Sequence, residues 1–249
     1  MKRRIRDAVC VFRIHLARLR SEMGPFVLAA LVYPSAAYLF ASKVSGATAG
    51  ETKSLRFLAG SIVFSLSLTA ISWLGYLLLE NRFTGRLKLF ATLPLAPSSY
   101  VFGILTFAVA QAALGTTTLF VLARLLGVQM QPDAASLLLL GGTILLTMLC
   151  LCGVSVIIAT RARSFTEGTL YTDSLGAGLV FLAPVFYAPD DLPGWLRSVT
   201  QWLPTSCAAR AVQTTLGGGY QVGTELLALA LMTLATLSLG FHLMKWRED

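Results

Sequence analysis

Residues 134–160 read AASLLLLGGTILLTMLCLCGVSVIIAT, a run without a single Asp, Glu, Lys or Arg. A helix needs about 20 consecutive apolar residues to cross the hydrocarbon core of a bilayer. At that depth only a helix or a closed barrel satisfies its own backbone groups, so this run reads as a membrane-spanning helix. Working outward, uncharged runs recur at 24–42, 57–79, 89–123, 174–188 and 226–244. The run 89–123 is too long for one span. Pro94 and Pro97 divide it, because proline removes a helix donor and disfavours helix in the residue before it, and its membrane part begins near Ser98. The run 174–188 is short and becomes adequate when it starts near Gly168, which brings Asp173 into the membrane. The expected fold is an all-α polytopic membrane protein with six transmembrane helices at 24–42, 57–79, 98–123, 134–160, 168–188 and 225–244, forming a single domain over 1–249.

Composition agrees. Of 249 residues 55% are hydrophobic and 13% charged, whereas a soluble domain carries about 25% charged residues. A water-soluble enzyme is excluded, and six spans leave no room for a large extramembrane domain. The formal net charge of +8 then needs a location. Cytoplasmic loops of membrane proteins carry the excess of Lys and Arg. With the amino terminus inside, that face receives Lys2, Arg3, Arg4, Arg6, Arg13, Arg18, Arg20, Arg82, Arg86, Lys88, Arg161, Arg163, Lys245 and Arg247. The other face receives Lys43, Lys53, Arg56, Arg124, Arg197 and Arg210. Both termini are expected in the cytoplasm, and the charge is explained without nucleic acid.

Residues 3–21 are no secretory signal, because Arg13, His15, Arg18 and Arg20 interrupt every apolar window such a signal requires. Ile5, Val9, Phe12, Leu16 and Leu19 instead recur at helical steps on an otherwise basic helix. That pattern predicts an interfacial helix with its cations near anionic headgroups of membrane lipids.

Several chemistries are missing. Asp173 is the one ionisable residue at depth, and such a residue is a functional candidate by default; a structural pair with Arg161 or Arg163 is the plainer reading. His15 and His242 have no carboxylate or cysteine at ligand spacing, so no metal site is expected. Cys150 and Cys152 point to different sides of one helix and read as packing residues. Gly46-Ala-Thr-Ala-Gly50-Glu-Thr-Lys53-Ser54 fails the phosphate-loop spacing, and Gly217-Gly218-Gly219 lacks the Lys that would follow. The chain is therefore expected not to be an enzyme and to hold no cofactor of its own.

Two connecting segments carry a pattern. In the stretch Glu80-Asn-Arg82-Phe-Thr-Gly85-Arg86-Leu-Lys88-Leu-Phe90-Ala-Thr-Leu-Pro94-Leu-Ala-Pro97, an apolar ridge of Leu87, Phe90 and Leu93, or of Phe83, Leu87 and Phe90, predicts a cytoplasmic helix over 82–93. The ridge suits a groove on another protein or the chain's own membrane helices. In the outer segment 186–204, Asp191 is a helix cap with Pro193 in the first turn, and a helix over 191–203 carries Leu192, Trp195, Leu196, Val199, Trp202 and Leu203 on one face. Tryptophan favours the membrane boundary. Phe186, Tyr187, Trp195 and Trp202, with Asp173, are the candidate pathway or gate residues; closure of the bundle is the alternative role for this helix.

These features, in this order, resemble a type-2 export permease of ATP-binding cassette transporters: a basic amphipathic start, six spans, Glu-x-Arg-x-x-Gly-x-Leu leading to Leu-Pro-Leu-Ala-Pro, and Leu-Pro-Gly-Trp-Leu before the last span. The resemblance covers essentially the whole chain. It implies that the helix after the second span is a coupling helix, whose Arg82, Phe83, Arg86, Leu87, Lys88, Phe90 and Leu93 meet an ATP-binding cassette ATPase subunit. ATP and Mg would be bound there and not here. The family's Thr-Leu-Glu after the glycine is Arg86-Leu87-Lys88 in this chain. The resemblance also implies a second permease chain, identical or homologous, and export of a drug, lipid or lipid-linked glycan across a bacterial cytoplasmic membrane. Rival expectations are a secondary transporter or membrane enzyme using Asp173, and a noncatalytic assembly factor.

Overall fold

Long uncharged runs leave the backbone no polar partner but itself, and the chain folds accordingly into helices joined by short turns. The computed structural model describes residues 2–19, 23–44, 51–92, 97–130, 132–189 and 192–243, and among them there is no strand. Helix α1 (Lys2–Leu19) is followed by the first expected span, which runs as α2 (Met23–Val27), a π-helical turn (Leu28–Val32) and α3 (Tyr33–Val44). The second runs as α4 (Glu51–Ser67), a second π-helical stretch (Leu68–Trp73) and α5 (Leu74–Phe83). Then come the short α6 (Arg86–Thr92), α7 (Pro97–Leu125), α8 (Ala134–Arg161), α9 (Phe165–Phe181), α10 (Gly194–Thr200), α11 (Pro204–Leu216) and α12 (Gly223–Leu243).

Among the described residues four helices are long and apolar enough to cross a membrane: Lys53–Phe83, Ser99–Leu125, Ala134–Arg161 and Gly223–Gly240. The expected spans at 24–42 and 168–188 are helical but lie outside those four. The fifth differs most. It starts at Phe165, where Ser164 accepts a hydrogen bond from the Glu167 amide at 3.1 Å and Glu167 takes the Arg163 amide at 2.9 Å, a near relative of the capping box. It stops at Phe181, well short of 188, since Pro184 disfavours helix at the residue before it. The helix expected over 191–203 is confined to Gly194–Thr200 with Pro193 as its cap; Asp191 lies outside the described residues. The coupling helix is also shorter than 82–93, because Arg82 and Phe83 belong to the end of α5 and Leu93 lies outside the described residues.

The helix α11 was not anticipated. Pro204 stands at its first position, where a missing N–H costs nothing, and Gly218 just beyond its end takes φ 77°. Its residues Cys207, Ala208, Ala211, Val212 and Leu216 are buried among α4, α8 and α12. Small side chains set the packing elsewhere too. A Cβ on Gly153 of α8 would stand 2.6 Å from Thr236 Oγ1 and 2.9 Å from its carbonyl carbon on α12, so these two helices touch backbone to backbone, the arrangement small residues permit in membranes. Helix α1 lies against α7 in the same manner: a Cβ on Gly103 would stand 2.7 Å from the Ala8 carbonyl oxygen. It buries Ala8, Val11 and His15 there, while Ile5, Val9 and Leu16 of the predicted stripe stay exposed.

The contact at Gly153 is testable. Gly153→Leu should force α8 and α12 apart and cost about 1–3 kcal/mol, as overpacking does, seen as a lower melting temperature of the protein in mild detergent. Gly141→Ala, with open space around the added methyl, should leave the melting temperature unchanged or slightly raised.

Candidate functional site

The end of α5 gathers a charge network. Glu80 receives Arg18 Nη2 of α1 at 2.6 Å on one carboxylate oxygen and Arg86 Nη1 of α6 at 3.1 Å on the other. One carboxylate, with 17% of its side chain exposed, therefore ties α1, α5 and α6 together. Two residues on, Arg82 donates to the carbonyl oxygens of Ala159 at 2.7 Å, Thr160 at 3.2 Å and Ala162 at 2.9 Å. These lie at the end of α8, where carbonyls lack intrahelical partners and the helix dipole is negative. The Glu-x-Arg pair thus fastens α5 to three other helices. Between them, buried Asn81 donates to the Tyr100 hydroxyl at 3.0 Å.

Gly85 turns the chain into α6 with φ 76°, a left-handed conformation that favours glycine. The turn sets the faces of α6. Leu87 and Phe90 pack inward against the main core, Phe90 with its ring 5.2 Å from that of Tyr100. The ridge expected to enter a partner's groove is thus seated on the chain's own helices. Leu89, 64% exposed, stands outward with Lys88, Arg86 and Phe83. His15, buried on α1 against the Phe107 ring, is held neutral, since burial and then the nearby Arg18 lower its pKa to about 4.

At the far end the candidate gate residues separate. Phe186 is half-buried in a cluster with Val63, Ala183, Val185, Cys207 and Ala208. The Tyr187 hydroxyl donates to the carbonyls of Phe181 at 3.2 Å and Leu182 at 3.0 Å, closing the end of α9. Trp195 and Trp202 stand exposed on the outer face of α10 and the turn after it. Asp173 is exposed on α9, apart from all four, and among the described residues it makes no ion pair with Arg161 or Arg163. Beneath α10, Arg210 of α11 bonds the Gln201 carbonyl at 3.0 Å and Glu225 of α12 at 3.4 Å.

Sequence reasoning missed Arg18, Asn81, Tyr100 and Arg210 as members of these networks. Glu80, Arg82 and Arg86 stood in the quoted motif, but Arg18 lies 62 residues from Glu80 and Ala159 77 from Arg82, and no local spacing announces such pairs. The signal for α11 was present in Pro204 and the Gly217-Gly218-Gly219 run.

No curated protein matches the chain. A family model described as ABC-2 type transporter matches residues 8–216, a stretch that includes α1's contact with α7, the Glu80 cluster, all of α6 and the buried α11. The chain therefore belongs to the ABC-2 type transporter family, the membrane permease components of ATP-binding cassette transporters.

Proposed function

We propose that the chain is half of the membrane part of an exporter in a bacterial cytoplasmic membrane, six-spanning, with both termini in the cytoplasm. A separate ATPase subunit, holding ATP and Mg, docks on the outward face of α6, and its motion opens a path between two permease chains, identical or homologous, for a hydrophobic or amphipathic substrate. Membrane lipids surround the assembly and lie against the basic face of α1. The observation that carries this reading is the carboxylate of Glu80 held between Arg18 and Arg86. A push on α6 is delivered through it to α1 and to the second span, and through Arg82 to the end of the fourth. The inward seating of Leu87 and Phe90 supports the same reading, because a helix anchored by its inner face moves its support with it.

The two faces of α6 predict different failures. Leu89→Asp should leave the permease folded and reduce the ATPase that co-purifies with it. Leu87→Asp should destabilise the permease itself by roughly 2–4 kcal/mol, the scale for burying a polar group without a partner, seen as a lower melting temperature of the permease alone. Equal co-purification of the ATPase with Leu89→Asp and with the native chain would remove this face as the docking site.

Glu80→Gln should keep the ATPase bound and lower substrate-stimulated ATP hydrolysis about fivefold or more, since coupling free energies of ~1–3 kcal/mol correspond to such factors. Stimulation equal to that of the native complex would show that force does not pass through Glu80.

Orientation has its own check. A membrane-impermeant maleimide should label the exposed Cys10 only after cells are opened, and should label Leu126→Cys, in the exposed turn after α7, from outside.

A further inference from the structure

The exporter reading leaves the substrate's chemistry open, and one residue speaks to it. Asp173 follows the start of α9 by eight residues, about 12 Å along a helix rising 1.5 Å per residue. It stands exposed beside Leu170, Ser174 and Ala177. Among the described residues it forms no hydrogen bond and no ion pair, and it holds no further contact of that kind. Arg163 is exposed with its backbone amide bonded to Glu167 in the α9 cap, and Arg161 is exposed at the end of α8.

A carboxylate at such depth is costly unless it pairs or meets water, so it marks a pathway or a partner. The chain itself contains no counter-ion at this depth. Residues 24–42, 57–79, 98–123, 134–160 and 226–241 hold no Asp, Glu, Lys, Arg or His, and 168–188 holds Asp173 alone. A second copy of the chain would bring another Asp173 and no cation. In a complex of two identical chains, a positive charge that pairs with Asp173 at this depth comes from outside the protein. The apolar neighbours on the same face exclude a small hydrated ion as the best fit and suit a cation carried on a greasy body.

Resting on the exporter reading, we propose that Asp173 is the anionic contact of the transport path and that the substrates are lipophilic organic cations. In a homodimer two such carboxylates, one from each α9, flank the path, and neutral or anionic amphiphiles of the same size are discriminated against by the lack of that attraction.

The test uses the permease with its ATPase subunit in inverted vesicles and two probes of like shape, tetraphenylphosphonium and the neutral triphenylphosphine oxide. The native complex should take up the cation in an ATP-dependent manner. Asp173→Asn should weaken its half-saturation concentration about tenfold or more, the scale of losing one charge–charge contact at an intermediate dielectric, while Asp173→Glu keeps it. Equal uptake by Asp173→Asn and native protein overturns the assignment, and so does an equal loss for both probes, which marks a structural role. Equilibrium dialysis of tetraphenylphosphonium against the permease alone separates the two readings. If the native complex takes up neither probe, lipophilic cations are not its substrates and the assignment falls, whereas the exporter reading falls only if no ATPase subunit co-purifies with the native chain. Equal binding by native protein, Asp173→Asn and Asp173→Glu also overturns the assignment.

Discussion

Hydrocarbon offers a peptide group nothing to bond with, and an unsatisfied polar group there costs several kcal/mol. Much of this structure follows from that scarcity of partners. Hydroxyl side chains at depth are returned to the backbone of their own helix, as Thr143 to Leu139, Thr147 to Thr143 and Thr233 to Leu229. Where a second helix comes close enough, the hydroxyl crosses over instead. Ser67 donates to the Gly176 carbonyl at 3.1 Å, Thr233 to Leu146 at 3.1 Å and Thr236 to Cys150 at 3.2 Å, while Ser155 reaches Ala70. These bonds exist only because glycine and alanine let the backbones approach, so small residues and hydroxyls act as one device.

The second span shows the device at its densest. Its π-helical stretch over Leu68–Trp73 replaces part of the regular bonding with the longer bond from the Leu74 amide to the Thr69 carbonyl. Around this stretch Ser67 bonds α9 and Ala70 accepts from α8. The helical run from Glu51 ends in the Glu80 cluster, so contacts made along it and at its end belong to one continuous element. A displacement delivered at Glu80 therefore enters the element with the most partners, and it meets the others through backbone contacts that do not stretch.

How much of this could be read in the sequence depends on where the determining contact lies. The fourth span was legible nearly to the residue, because Asp133 caps it by accepting the Ser136 amide at 2.9 Å and an uncharged run fills it. The third began where Pro97 said it would. The short α6 was legible as a helix, while its facing was not: Leu87 and Phe90 recur at helical steps whether they meet a partner or Tyr100, and periodicity is silent on which. Partners across the fold, such as Arg18 for Glu80 or Arg210 for Glu225, carry no local signature at all. Helix α11 went unread because a buried helix rich in Ala, Thr and Ser has no apolar run, and its stripe of Cys207, Ala208, Ala211, Val212 and Leu216 is built mostly of small side chains, leaving its proline and glycine punctuation as the plainest signal.

Helices α10 and α11 are held to each other and to their neighbours in two different ways. Polar side chains supply one: Arg210 on the Gln201 carbonyl and, among the described residues, its ion pair to Glu225, with the hydroxyls of Thr205 and Ser206 on the carbonyls of Leu179 and Thr200. Burial supplies the other, since α11 is set among α4, α8 and α12 while α10 stays largely exposed. Helix α10 is thus fastened through side chains to an anchored neighbour, and a shift of α10 breaks no bond within the ladder of a long apolar helix.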